Sequence, residues 1–162
     1  MISIHEPVFG KQEKKNLLKC IDSNWVSSKG TFVKKFEKAF SEMFDNMYAT
    51  SVSNGTVALE LALRTLNIGL GDEVIVPDLT FAATANAVIH VGAKPIFCDV
   101  DSKDWNIKPE NIKSLLTEKT KAIIPVHLYG QPCKMYKLKK LAEKYNLILI
   151  EDCAESLGSK YH

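Results

Sequence analysis

The rhythm of apolar and polar residues changes at residue 48 of this chain. Before it, FVKKFEKAFSEMF (32–44) places Phe32, Phe36, Phe40 and Phe44 at every fourth position, with Val33, Ala39 and Met43 widening the stripe. That spacing predicts an amphipathic helix whose apolar face packs into a core. The first 30 residues are irregular apart from a short helix expected over 11–21. From residue 48 onwards, short apolar runs alternate with helical stretches. YATSVS (48–53), EVIVP (73–77), KPIFCDV (94–100), KAIIPVH (121–127) and NLILIE (146–151) read as strands. GTVALELALRTL (55–66), FAATANAVIHV (81–91), PENIKSLLT (109–117) and KMYKLKKLAEKY (134–145) read as helices, with Gly69, Gly71, Gly92 and Gly130 punctuating the joins.

Strands and helices alternating in this way need right-handed crossovers. The fold class that follows is α/β, a three-layer α/β/α arrangement on a mostly parallel sheet. Parallel strands covered on both faces have no need to alternate, which accounts for the unbroken apolar run at 147–150. The expected organisation is an N-terminal helical segment over 1–47 and one α/β domain over 48–162.

Composition narrows the partners. The 162 residues are 46% hydrophobic, enough for one core, and the net charge of +2 provides no basic field for nucleic acid or an anionic membrane. The lysines of 134–145 (Lys134, Lys137, Lys139, Lys140, Lys144) read as a solvated face. Arg64 is the only arginine, so bidentate recognition of carboxylate or phosphate is scarce here. Cys20, Cys98, Cys133 and Cys153 form no C-x-x-C pair and read as free thiols of a reducing compartment. The opening MISIHEPVFGKQEKK has no continuous apolar region and no segment is long enough for a membrane span, so a cytoplasmic location is expected.

Ligands of open parallel sheets gather outside the carboxyl ends of the strands, which directs attention to the residues that follow each one. In SNGT (53–56), Gly55 permits close approach to the backbone, Thr56 offers a hydroxyl, and the helix that starts there points its first amides outward. The stretch is suited to a phosphate, or else is a plain cap by Ser53 or Asn54. Phe81 either stacks on a planar ring or belongs to the core. Asp99 and Asp101, a D-x-D at a strand end, either hold a divalent metal with a sugar diphosphate or mark an ordinary turn. His127 and Tyr129 are polar tips without a visible partner. Asp152 and Glu155 follow the most apolar strand, where a carboxylate is costly unless something positive meets it. A protonated pyridine nitrogen would serve, with a capping aspartate as the alternative.

Together SNGTVALELAL, GDEVIVPDLTFAATANAV, KAIIPVHLYGQP and IEDCAESLG resemble, in order and spacing, the sugar-nucleotide aminotransferases of the DegT/DnrJ/StrS type, and NWVSSKGTFVKKFEKAF is similar to their opening segment. The resemblance implies the large domain of a fold-type I enzyme dependent on pyridoxal 5'-phosphate (PLP). By position, Gly55 and Thr56 would hold the cofactor phosphate, Phe81 would stack on its ring, Asp152 would pair with the pyridine nitrogen and Glu155 would lie near the ring hydroxyl. The implied reaction moves an amino group, typically from glutamate, to a keto-sugar carried on a nucleotide, within a homodimer. The family's Schiff-base lysine, and a phosphate-binding serine before it, match positions beyond His162, because Lys160 is too close to Asp152. Two further strands between the first and the last, and a small C-terminal domain, are implied as well. The stretch is therefore expected to be the N-terminal portion of an enzyme and inactive by itself, with no catalytic residue assigned. A manganese-dependent glycosyltransferase using Asp99 and Asp101, and a non-catalytic sugar-nucleotide-binding domain, are the alternative readings.

Overall fold

The computed structural model describes residues 6–161. Contacts divide the chain into two compact units, Met1–Ser51 and Val52–His162. The first carries helices α1 (Lys11–Asp22) and α2 (Thr31–Met43). Neither buries a residue, and Phe36 of the aromatic stripe is 57% exposed, so the expected core face of α2 is not covered within its own unit. Periodicity places the stripe on one face, but two short helices present too little surface to close over it. The rings of Phe36, Phe40 and Phe44 instead stand against one another, with centroids 5.7 and 5.1 Å apart.

The strand expected over 48–53 is absent. Residues 47–52 are irregular, and the Ser51 amide and hydroxyl both donate to Glu37 Oε1 at 2.9 Å. A strand exists only as one side of a ladder, and no ladder partner for this segment is present among the described residues.

The second unit opens with α3 (Gly55–Thr65), followed by β1 (Glu73–Pro77), α4 (Ala83–His90) and β2 (Lys94–Cys98). A short helix α5 (Pro109–Ile112) continues as one 3₁₀ turn to Leu115, and β3 (Thr120–Ile123), α6 (Met135–Tyr145) and β4 (Ile148–Leu149) complete it. All strand pairs are parallel, in the order β2-β1-β3-β4. The central β1 is buried along its whole length. Strand β4 is the opposite case. It ends the sheet, and 147–150, expected to be covered on both faces, is only half-buried because no strand pairs with its outer side among the described residues.

The period of two along each strand sorts the side chains between the two faces. Val74, Val76, Ala122, Ile124, Ile148 and Ile150 pack with α3 and α4, while Ile75, Ile123, Leu147 and Leu149 pack with α5 and α6. Helices thus cover both faces, as the alternating pattern predicts. The strand order reverses direction beside β1, and that is where an open parallel sheet leaves a crevice at its carboxyl edge. Among the described residues no helix is long and apolar enough to cross a membrane.

Candidate functional site

Strand β4 runs into Glu151 and Asp152, and the alternation of the strand sends them to opposite faces. Asp152 continues the series of Ile148 and Ile150 towards α3 and α4; Glu151 continues that of Leu147 and Leu149. Ladder bonds extend past the strand to fix both. The Ile150 amide donates to Ile123 O at 3.1 Å, the Asp152 amide to Pro125 O at 2.9 Å, and the His127 amide to Asp152 O at 3.2 Å.

On the α4 side, the hydroxyl of Thr84 donates to Asp152 Oδ2 at 3.0 Å, and the Ala154 amide donates to Oδ1 at 3.1 Å. Thr84 is completely buried, and its own oxygen lies 3.0 Å from the hydroxyl of Thr80, four residues earlier in the loop that leads into α4. Phe81 stands between these two threonines just before α4. Its ring is 78% exposed, so it is not a core residue and its face is open to a ligand. Sequence inspection singled out Phe81 and passed over Thr84. The visible signal was a pair of threonines four apart, Thr80 before α4 and Thr84 in its first turn.

Helix α3 leads into β1 through a short loop, so it runs antiparallel to the strand and presents its N-terminus at the same carboxyl edge as the start of α4. Asn54 caps it, with Oδ1 accepting from the Val57 amide at 3.0 Å. Among the described residues no acceptor is present for the Gly55 and Thr56 amides. A Cβ built on Gly55 would meet nothing within 4 Å, so the approach to these amides is open. Two outward amides, a threonine hydroxyl and the positive end of the helix dipole suit an anion such as phosphate.

On the opposite face His127 and Glu151 engage each other. His127 is buried; its Nδ1 accepts from the Cys133 amide at 3.0 Å and its Nε2 lies 2.9 Å from Glu151 Oε2. A ring nitrogen that accepts an amide proton is unprotonated, so the proton sits on Nε2 and is donated to Glu151. That hydrogen bond holds the Glu151 carboxyl below its ordinary range. His127, Glu151 and Cys153 bring ligand atoms within 4.8 Å of one another. The hydrogen bond between His127 and Glu151 anchors the chain after β4.

Glu155 is turned to the neighbouring loop, where Oε2 accepts the Tyr129 amide at 2.7 Å, leaving Oε1 outside that bond. Tyr129 itself is exposed and adopts a left-handed backbone with φ of 50°. Buried Asn106 secures the same loop: its Oδ1 accepts the Leu128 amide at 3.1 Å and its Nδ2 donates to Gln131 O at 3.0 Å. In the D-x-D pair, the Asp101 carboxylate is engaged within the protein. Lys134 donates to Asp101 Oδ2 at 2.6 Å and the Lys103 amide occupies Oδ1 at 3.0 Å, so the aspartate holds a turn. The same contact removes Lys134 from the solvated lysine face; it also lies 3.4 Å from Asp104.

The carboxyl edge therefore combines an oriented carboxylate, an open aromatic face and a helix start suited to an anion. The DegT/DnrJ/EryC1/StrS aminotransferase family matches residues 7–162. The chain belongs to this family. Within it, the GDP-perosamine synthase of Escherichia coli O157:H7 is 51% identical over 160 residues, covering 99% of this chain and 44% of that protein. Among solved structures, the aminotransferase from Psychrobacter cryohalolentis superposes with a TM-score of 0.88 at 44% identity, over 96% of this chain and 40% of that one. Spr1654 from Streptococcus pneumoniae, in its PLP form, gives 0.90 at 30% identity, over 97% and 44%. The fold is accordingly that of the fold-type I PLP-dependent aminotransferases. The chain spans about two fifths of the length of these relatives.

Proposed function

We propose that residues 1–162 form the cofactor-binding part of a PLP-dependent aminotransferase that transfers an amino group, from glutamate as donor, to a keto-sugar linked to guanosine diphosphate. The observation that carries this reading is the Asp152 carboxylate, fixed by Thr84 and Ala154 at the carboxyl edge. Such a group meets a protonated ring nitrogen, which both relieves the cost of the half-buried charge and keeps the nitrogen protonated. The Gly55 and Thr56 amides take the phosphate, Phe81 covers one face of the ring, and Glu155 Oε1 is available to the ring hydroxyl. When bound, PLP supplies the electron sink that lets an amino group pass between carbon skeletons. Similarity to a GDP-perosamine synthase supports the choice of nucleotide. The family resemblance extends the reading to a cytoplasmic homodimer. Because the chain spans only part of its relatives, the activity is proposed for the complete gene product.

The test incubates that product with PLP, glutamate and GDP-linked keto-sugar, following 2-oxoglutarate and the mass of the nucleotide sugar. Glutamate-dependent amination is expected, together with loss of cofactor retention in Asp152→Ala. Amination that continues without PLP, or unchanged retention in the variant, contradicts the reading.

A further inference from the structure

A carboxylate opposite a ring nitrogen is useful only if one of its lone pairs is held in the right direction. Asp152 lies three residues beyond β4, where bonds to Pro125 O and from the His127 amide fix the main chain but not the direction of the carboxylate. The chain compensates through α4. Ionised Asp152 has acceptors only, so the single proton of the Thr84 hydroxyl goes to Oδ2 across the 3.0 Å contact. Thr84 then has only lone pairs left for Thr80, so the 3.0 Å contact between the two hydroxyls runs in one sense, with Thr80 donating to Thr84. Donors aligned in this way polarise one another. Thr84 has no exposed surface, so water cannot replace it.

We infer that Thr84 is the positioning residue for the carboxylate that faces the cofactor's ring nitrogen, with Thr80 reinforcing it from the loop before α4. The inference rests on the PLP reading of Asp152 and adds to it two side chains that touch no part of the cofactor. Phe81 lies between them in sequence, so the segment from Thr80 into the first turn of α4 both covers the ring and aims its partner. The ring nitrogen is the discriminating atom. Loss of Thr84 weakens the pairing between Asp152 and that nitrogen and leaves the phosphate and stacking contacts in place.

The experiment measures the affinity of the complete gene product for PLP and for 1-deaza-PLP, which lacks the ring nitrogen, by quenching of intrinsic fluorescence. Wild type, Thr84→Val, Thr84→Ser, Thr80→Val and Asp152→Ala are compared. The expected result is that Thr84→Val loses about tenfold in affinity for PLP and under about twofold for the deaza analogue. Thr84→Ser restores the wild-type preference, and Thr80→Val loses a few-fold for PLP alone. Equal losses for both ligands in Thr84→Val, or none for PLP, overturn the inference. Should Thr84→Val fail to fold, wild-type behaviour in Thr80→Val, or failure of Thr84→Ser to discriminate the ligands, overturns it equally. If wild type binds both ligands alike, or Asp152→Ala binds PLP as wild type does, the cofactor reading itself is wrong, an outcome distinct from the others.

Discussion

His127 Nε2 and Glu151 Oε2 stand 2.9 Å apart across the β3–β4 pair, and the two partners are unequal: the histidine is buried and the glutamate half exposed. Removing each should therefore cost differently. Glu151→Gln keeps an acceptor for Nε2 in a site reached by water and should lower stability by under about 1 kcal/mol. His127→Ala leaves the Cys133 amide without its acceptor inside the core and should cost roughly 1–3 kcal/mol. Urea denaturation of both variants checks this, and equal losses would show that His127 anchors nothing.

The response to pH should be limited by a lysine as well as by acids. The hydrogen bonds from His127 and Lys134 depress Glu151 and Asp101, whose ordinary values are 4.5 and 3.8. Groups depressed in the folded state add stability above their ordinary values and lose it as pH falls through the folded ones. Lys134 is raised above 10.5 by the Asp101 hydrogen bond, so its contribution is complete below that value and is lost as pH rises through the elevated one. The melting temperature should decline at both extremes. Lys134→Met should flatten the alkaline limb; a limb that stays steep would assign it to other groups.

Thiol chemistry offers a check on burial. Cys98 is enclosed and its thiol is pushed up to about 11 by desolvation, whereas Cys133 is buried with its Sγ donating to Val126 O at 3.1 Å. Cys153 is exposed. A thiol reagent at neutral pH should label Cys153 within the first phase and reach Cys98 and Cys133 only on unfolding. Mass mapping that finds Cys98 among the early products would contradict the packing of β2.

Asn106 tests whether the loop after β3 is held from one point. Its side chain accepts the Leu128 amide and donates to Gln131 O. Asn106→Ala should speed hydrogen exchange at Leu128 by roughly tenfold or more, in keeping with a lost buried bond of about 1–3 kcal/mol. Protection that survives the substitution would mean that the ladder alone fixes the loop.

The parts that were legible in the sequence are those in which local pattern and long-range partner agree. EVIVP became β1 over the residues expected, because a short, continuously apolar run has only the centre of a sheet to go to. Segment 48–53 had strand-like residues and no ladder partner among the described residues, and the α2 stripe had the right period but is only partly covered, with Phe32, Val33 and Phe40 half-buried and Phe36 exposed. Periodicity states which face is apolar and is silent about what covers it. At the site, Phe81 and Asp152 stood out by type and position. Thr84 did not, because its meaning lies in a partner 68 residues away, and a hydroxyl on a helix has many ordinary uses. The division of Glu151 and Asp152 between faces was readable from parity alone once the strand was granted.

Strand β4 is only two residues long, so its frame against β3 rests on very few bonds. A slip of one residue would exchange the acids, offering the longer arm of Glu151 to Thr84 and turning Asp152 towards His127. Chemistry at this edge thus depends on pairing arithmetic. The bonds that carry the ladder past β4, from the amides of Ile150, Asp152 and His127, are the ratchet on that count, and so take part in choosing which carboxylate the crevice receives.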